Sequence, residues 1–309
     1  MTFIVTGGSG FIGSHITEQL LKNNEQVVII DNLATGRLEN IKPFLSDKNL
    51  TFVNGSITDL PLLKELCKDA DGIFHEGAIP SVQRSVENPL SSNEANITGT
   101  LNVLLAARDA GIRKVVFAAS SSAYGDTPTL PKVETMPGIP LSPYALTKYS
   151  CEQYCRLFTE LYGLQTASLR YFNVYGPRQD PNSNYAAVIP KFITAILKKE
   201  SPVIHGDGLT SRDFTFVKDV VQANLKAMVS DATGVFNIAY GQRTTLNELA
   251  QMIMDITGTQ VSIRYDEPRT GDVKHSLADI TKACSSFDYA PEYSIYQGLQ
   301  ETVEWFRNQ

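Results

Sequence analysis

The sequence predicts an α/β fold, a doubly wound parallel sheet followed by a smaller mixed α/β part. Three observations carry that expectation. Short β-rich runs alternate with longer helical stretches over roughly the first half of the chain. The runs are continuously apolar, as strands covered on both faces are. A glycine-rich turn, Thr6-Gly7-Gly8-Ser9-Gly10-Phe11-Ile12-Gly13, follows the first run and opens a helix.

Taken in order, the expected strands are Phe3–Val5, Val27–Ile30, Thr51–Val53, Gly72–His75, Val115–Ala118 and Thr166–Leu169. Helical segments are expected to start near Phe11, Leu60, Ala95 and Pro143. After about residue 173 the rhythm loosens. Loops appear at Gly176-Pro177, Asp180-Pro181, Gly206-Asp207-Gly208 and Glu267-Pro268, with helices expected over 186–199, 218–229, 245–256 and 295–307. The expected organisation is a nucleotide-binding half over 1–172 and a substrate-binding part over 173–309, interleaved with the first. There is no internal repeat and no low-complexity segment.

Composition excludes several classes of function. The 309 residues are 42% hydrophobic and 19% charged, ordinary for a folded domain. A net charge of −6 argues against a general nucleic-acid-binding face. No apolar run approaches the roughly 20 residues of a membrane span. Phe3-Ile4-Val5 enters a core strand at once, with no basic n-region before it, so no signal peptide is expected. The cysteines at 67, 151, 155 and 284 form no C-x-x-C pair, and the histidines at 15, 75, 205 and 275 are scattered, so no metal site is expected. Cys151 and Cys155 read as small apolar side chains on one helix face. This usage fits a reducing cytoplasm.

The turn places Gly7, Gly10 and Gly13 in the spacing G-x-x-G-x-x-G, not the G-x-G-x-x-G of the commoner fingerprint. The physical need is similar. One glycine permits the tight turn, one lets a pyrophosphate approach the backbone, and one lets helix and strand pack closely. Phe11 and Ile12 then begin a helix whose N-terminal amides face the phosphates. Asp31, 18 residues after Gly13, ends the second strand, where a carboxylate accepts both ribose hydroxyls. Its charge repels a 2′-phosphate, so NAD is favoured over NADP. The nearby Arg37 reads as a loop charge. Asn32, Thr35 and Gly36 are expected to shape the loop beside the adenosine, and Ser56-Ile57 to lie beside the adenine.

A second signal is Tyr144-Ala145-Leu146-Thr147-Lys148, a Y-x-x-x-K behind Ser142-Pro143, which reads as an N-cap with proline at the first helical position. Residues i and i+4 share a helix face. An ammonium beside a phenol favours the phenolate, a base for a hydroxyl whose carbon loses hydride. Ser120, 24 residues before Tyr144 at the end of a strand, is placed to bridge a substrate oxygen and the tyrosine.

These residues together resemble the extended short-chain dehydrogenase/reductases and, more narrowly, the nucleotide-sugar 4-epimerases. The matching segments are Asp31-Asn32-Leu33-Ala34-Thr35-Gly36, Asn96-Ile97-Thr98-Gly99-Thr100, Ser120-Ser121-Ser122-Ala123-Tyr124-Gly125, Arg170 through Arg178, and Arg212-Asp213-Phe214, in that order over nearly the whole chain. The resemblance implies a Rossmann-like fold, one tightly held NAD, a UDP-sugar substrate and a homodimer. It implies cofactor contacts at Gly77, Asn96 and Tyr171 besides those above. It implies Tyr144 as the base for the sugar's 4-hydroxyl, Lys148 on the nicotinamide ribose, and Ser120 passing the proton or orienting the oxygen. The flat 4-keto sugar turns about its phosphate linkage, and hydride returns to the other face. Arg212 and Arg269 match diphosphate arginines, Asp272 a ribose partner, and Asn173 a donor to the diphosphate or sugar.

Two positions depart from the family pattern. Ser56 stands where the family often has aspartate, and Glu76 stands after His75 where a small residue is usual. Ser276 falls where glucose-restricted members carry tyrosine, which leaves space for a 2-acetamido group. Ser81, Ser121 and Ser122 are candidates to hydrogen-bond such a sugar. Sugar 4,6-dehydratases and UDP-glucuronate decarboxylases place carboxylates where Ser121-Ser122-Ala123 stands, and both are disfavoured. UDP-glucuronate 4-epimerisation, or a non-catalytic NAD-binding redox sensor, remain as alternatives. The helices near Ala95–Ala110 and Pro143–Leu161 are candidates for the dimer interface, although Leu101, Leu104, Leu105, Leu157 and Phe158 could all face the sheet instead.

Overall fold

The computed structural model describes residues 1–181, 187–268 and 274–309; Arg269 and Asp272 lie outside these. All six expected strands form, five of them longer by two or three residues: β1 (Thr2–Thr6), β2 (Gln26–Asp31), β3 (Leu50–Asn54), β4 (Gly72–His75), β5 (Lys114–Ser120) and β6 (Gln165–Tyr171). Further on come the two-residue β7 (Val174–Tyr175), β8 (Val203–His205), and the two-residue β9 (Ser211–Arg212) and β10 (Thr215–Phe216). They are followed by β11 (Gly234–Ile238), β12 (Thr244–Thr245) and β13 (Arg264–Asp266). One seven-stranded sheet runs in the order β11-β6-β5-β4-β1-β2-β3, and every neighbouring pair in it is parallel.

Continuous apolarity has the expected cause. Successive side chains of a strand point to opposite faces. Phe3 and Val5 enter a core with Ile16 and Leu20, whereas Ile4 between them enters another with Leu104 and Phe158. The first of these lies beneath α1 (Phe11–Lys22) and α8 (Val217–Val229). The second lies beneath α2 (Leu60–Leu66), α5 (Gly99–Ala110) and α6 (Pro143–Tyr162). Full burial of each such side chain contributes about 1.5–3 kcal/mol. Cys67, Cys151 and Cys155 are buried in the second core as free thiols, and burial pushes the Cys67 thiol up to about 12.

Helix ends follow local chemistry. Ser142 Oγ accepts from the Ala145 amide at 3.1 Å and Pro143 occupies the first turn of α6, while Gly163 ends it in the left-handed conformation. The helix expected near Ala95 is more broken than its sequence suggests. Short helices α3 (Val82–Glu87) and α4 (Pro89–Asn93) precede a π-turn over Glu94–Thr98, and α5 begins only at Gly99.

The second half has its own core of Tyr175, Phe192, Phe214, Phe216, Leu249 and Leu299. It lies among α7 (Val188–Leu197), α9 (Leu246–Thr257) and α11 (Ile295–Arg307), with α10 (Thr281–Phe287) against the sheet. The short strands pair β7 with β10, β9 with β12 and β8 with β13. The chain also returns to the first half: α8 packs on α1, and β11 extends the sheet beyond β6.

Candidate active site

A cleft of about 810 Å³ opens along the carboxyl ends of the sheet strands, where open α/β sheets take their ligands. Gly7, Gly10, Phe11, Ile12 and Gly13 form one wall. Gly7 has φ +67°, and a Cβ there would fall 2.8 Å from the Gly77 backbone; one on Gly13 would fall 2.3 Å from the Gly7 carbonyl oxygen. Only glycine fits either place. Gly10, at the N-cap of α1, has no side chain and so makes no cap hydrogen bond to the first-turn amides. Those amides are the donor set a pyrophosphate requires.

Asp31, at the end of β2, is 7% exposed and accepts from the Ser9 amide at 3.0 Å through one oxygen and from the Leu33 amide at 2.8 Å through the other. Each oxygen keeps acceptor capacity for a ribose diol. Burial raises the carboxyl pKa, and the two amides pull it back. Asn32, Thr35, Gly36, Ser56 and Ile57 line the same end of the cleft. Arg37 is also there, but Glu39 and Asp180 lie 3.8 and 3.6 Å from its guanidinium. Together, the glycine wall, the open helix end and the diol-accepting carboxylate fit NAD.

At the other end, Tyr144 and Lys148 both line the cleft from α6. Lys148 is 4% exposed; its Nζ donates to the Ala118 carbonyl at 2.8 Å, and it lies over the Phe117 ring. The Tyr144 amide donates to Ser85 Oγ at 2.9 Å, which ties the first turn of α6 to α3. Gly77 and Tyr171 line the cleft as well, and Ser81 stands at its rim with φ +93°. The Ser81 hydroxyl caps α3, accepting from the Arg84 amide at 3.3 Å.

Other predicted residues stand differently. Asn96 is buried behind the wall rather than in it. Its carbonyl oxygen accepts from the Ile79 amide at 2.8 Å, and its Nδ2 donates to the Ile79 carbonyl and to Thr147 Oγ1. It pins the loop after β4 to α6 from within the π-turn. Ser120 caps its own short 3₁₀ turn: its Oγ lies 2.8 Å from Ser122 Oγ and accepts from the Ser122 amide. No hydrogen bond links Ser120 to Tyr144 among the described residues. Ser121 follows in that turn, partly buried.

Three of the residues expected on the substrate side, Asn173, Arg212 and Ser276, lie around a buried carboxylate. Asn173 Nδ2 donates to Ser276 Oγ at 3.1 Å and to the Asp213 carbonyl at 3.0 Å. Arg212 Nη1 donates to the Ser211 carbonyl at 3.0 Å. Asp213, fully buried, accepts from the amides of Tyr240, Gly241 and Ala278. Burial pushes its carboxyl up to about 7 against the pull of those amides. It thereby holds three loops together beneath Asn173 and Ser276.

Sequence reasoning passed over three residues. Asp213 was visible only as part of a matching segment. His75 is fully buried, with Thr6 Oγ1 at 2.7 Å on one ring nitrogen and Thr100 Oγ1 at 2.9 Å on the other, and burial lowers its pKa to about 3. Glu76, noticed only as a departure, lines the cleft and accepts from the Tyr171 hydroxyl at 2.7 Å. Nothing in a local pattern announces a bond spanning 95 residues.

Comparison with known proteins agrees with this geometry. The NAD dependent epimerase/dehydratase family matches residues 3–239. The chain belongs to that family. Its cofactor is therefore NAD, and its Rossmann-like sheet is the family's. A putative UDP-glucose 4-epimerase of Methanocaldococcus jannaschii is 44% identical over 99% of this chain and 98% of its own length. Among solved structures, UDP-N-acetylglucosamine 4-epimerase from Methanobrevibacter ruminantium, in complex with UDP-N-acetylmuramic acid, is 46% identical with a TM-score of 0.96, covering 99% of this chain and 98% of that one. UDP-glucose 4-epimerase from Thermus thermophilus, in complex with NAD, is 35% identical with a TM-score of 0.90, covering 99% of both chains. Among the described residues no helix is long and apolar enough to cross a membrane, and no cluster of side chains could hold a metal ion.

Proposed function

We propose that the protein epimerises UDP-hexoses at carbon 4, taking the UDP-N-acetylglucosamine/UDP-N-acetylgalactosamine pair as well as UDP-glucose/UDP-galactose. The observation that carries the reaction is Tyr144 and Lys148 on one face of α6, in the same cleft as the glycine wall and Asp31. NAD, when bound, accepts a hydride from carbon 4 and returns it. Asp31 holds the adenosine ribose, and Gly7 through Gly13 hold the pyrophosphate. Tyr144 takes the proton of the 4-hydroxyl and gives it back after the sugar turns over. Lys148, fixed by the Ala118 carbonyl, orients the nicotinamide ribose and supports negative charge on Tyr144. Ser120 joins the proton path once its hydroxyl turns from Ser122 toward the substrate. Asn173 and Arg212 bind the diphosphate. Arg269 and Asp272, outside the described residues, complete that site.

The choice of sugar rests on Ser276. Its hydroxyl accepts from the amide of Asn173, and a serine here is far smaller than the tyrosine of glucose-restricted members, as an acetamido group requires. Ser81, Ser121 and Ser122 offer hydroxyls to such a group. Incubation with UDP-glucose and UDP-N-acetylglucosamine separately, read by NMR of the products, tests both statements. No 4-epimer from either sugar refutes the reaction, and product from UDP-glucose alone refutes the reading of Ser276.

The active form is a homodimer. Leu104 and Phe158 face the sheet, and Leu101 and Leu105 pack partly against the same core. Exposed apolar side chains remain nearby on three packed helices: Val86 on α3, Leu90 on α4 (81% exposed) and Leu146 on α6. An apolar face of this kind favours burial against a second copy. Sedimentation of a monomer at micromolar concentration would contradict it.

A further inference from the structure

Glu76 stands one residue beyond β4, and β4 lies in the sheet between β1, which leads into the glycine turn, and β5, whose Ala118 carbonyl holds Lys148. A dinucleotide with its adenosine ribose at Asp31 and its pyrophosphate at the turn after β1 extends its nicotinamide half toward the ends of β4 and β5. Glu76 lines the cleft there, with Tyr144, Lys148 and Tyr171.

The carboxylate is held by a fixed chain of donors. Asn224 on α8 is buried, and its Nδ2 donates to the Val220 carbonyl at 2.9 Å and to the Tyr171 hydroxyl oxygen at 2.8 Å. Both amide hydrogens are thus committed, and the Tyr171 hydroxyl accepts from that side. Its single proton is left for Glu76, to which it donates at 2.7 Å. Apolar side chains would fill this space without the cost of burying polar groups. A polar chain aimed at one cleft carboxylate therefore points to a use for its charge.

We propose that Glu76 sets the redox balance of the bound cofactor, its carboxylate favouring the oxidised, positively charged nicotinamide over the reduced, neutral one. In the proposed reaction the C4–H bond breaks and its electron pair leaves with the hydrogen as hydride to the nicotinamide. The hydroxyl proton goes to Tyr144, a C=O double bond forms at carbon 4, and the pyridinium charge is lost. A nearby negative charge opposes that loss. The effect keeps the 4-keto sugar, which can escape, from accumulating.

The groups facing Glu76 leave one titration to observe. Burial pushes the Glu76 carboxyl up to about 7, while the Tyr171 hydroxyl and the Lys148 charge draw it down. Tyr171, on β6, is held well above 10 by burial and by Glu76. His75, next to Glu76 on β4, stays neutral, with its pKa lowered to about 3 by burial and by Lys148. Asn224, from α8, does not titrate. Tyr144 and Lys148 line the cleft with Glu76 from α6 and are present in variant and wild type alike.

The test needs no sugar, so it is independent of the proposed substrate. Holoenzyme and its Glu76→Gln variant are titrated against mediator dyes of known potential, with the bound cofactor followed by the near-ultraviolet absorbance of reduced nicotinamide. Well above the Glu76 value of about 7, the ratio of reduced to oxidised cofactor at fixed potential should be about tenfold higher in Glu76→Gln, a shift of about 30 mV for a two-electron couple. Well below it the two proteins should agree, because the carboxyl is then neutral in both. A difference that is absent, or equal at all pH values, overturns the proposal. Should Glu76→Gln fail to fold, Tyr171→Phe keeps the carboxyl and removes its donor. The pH at which the wild-type potential departs from ordinary NAD behaviour should then move upward, and an unmoved pH overturns the proposal equally. Failure of the product assay with UDP-sugars refutes the proposed function and leaves this titration to stand or fall alone.

Discussion

The two halves of the molecule reach stability by different means. In the first, regular elements do the placing: Asp31 ends a strand, Gly7 to Gly13 join a strand to a helix, and Tyr144 and Lys148 lie one turn apart on α6. In the second, strands of two or three residues supply few ladder bonds, and buried carboxylates act in their stead. Asp213 gathers the backbone amides of Tyr240, Gly241 and Ala278; Asp219 gathers those of Glu292 and Tyr293. In the proposed function, cofactor chemistry rests on the sheet, and sugar recognition rests on loops tied to a carboxylate. Loops can change with little effect on the sheet, so specificity can vary while the redox machinery stays.

The largest expected effect breaks the first half alone. Tyr144→Phe removes one hydroxyl from a helix whose packing it does not carry. Turnover should fall about 10²–10⁴-fold, with the fold and NAD content unchanged by circular dichroism and by assay of nucleotide released on denaturation. Near-normal turnover would refute the acid–base role, and release of mostly NADP would refute the reading of Asp31.

Next in size is the equivalent blow to the second half. Asp213→Ala strands three backbone donors in a buried place, at about 1–3 kcal/mol each, so a loss of at least about 3 kcal/mol of stability is expected by denaturant titration. Asp213→Asn is milder and isolates the charge. The folded carboxyl holds its proton up to about 7, whereas its unfolded value is 3.8. Folding takes up a proton between these values, so this residue's contribution is full below about 4 and declines as pH rises toward 7. The asparagine variant should lack that decline. Parallel pH profiles of stability for the two proteins would show that Asp213 is ionised throughout.

Legibility in the sequence follows the same division. The six strands, the glycine turn, Asp31 and the Tyr144/Lys148 pair are local in sequence, and spacing reveals them. The seventh strand, β11, was not expected because Gly234-Val235-Phe236-Asn237-Ile238 carries two poor strand formers. Helices α3 and α4 have six and five residues, too few to show a period. Asn96 is expected at the cofactor because it sits in a family segment; the bonds of its side chain to Ile79 and Thr147 were not legible there. The roles of Asp213, Asn224 and Glu76 depend on partners 27 to 95 residues away, and no local pattern encodes them.

Ser276→Tyr tests the second half without unfolding it. A ring placed against Asn173 fills the space an acetamido group needs, and overpacking costs about 1–3 kcal/mol. Activity on the N-acetylated pair should fall about tenfold to a hundredfold, with UDP-glucose and UDP-galactose much less affected. An equal fall on both pairs would make Ser276 a structural residue, joined to Asn173 only to hold the loop.

The smallest expected effect compares two helix caps. Ser142 Oγ accepts from the Ala145 amide at 3.1 Å at the start of α6, two residues before Tyr144. Ser294 Oγ accepts from the Gln297 amide at 3.3 Å at the start of α11, in a reciprocal capping box. Replacing either by alanine should cost about 1 kcal/mol of stability, because each leaves one terminal amide without its partner. The consequences for turnover should differ. Loss of the Ser142 cap frays the turn that carries Tyr144, and the tyrosine then spends part of its time out of position. Turnover should drop several-fold, with substrate affinity little changed, since positioning losses appear in the chemical step. Loss of the Ser294 cap loosens a helix packed in the core of the second half, away from the cleft, and turnover measured well below the melting temperature should be unchanged. Equal losses of turnover would mean that the two halves are coupled more tightly than their separate cores imply. No loss in Ser142→Ala would mean that the Tyr144 amide's bond to Ser85 suffices to hold the first turn.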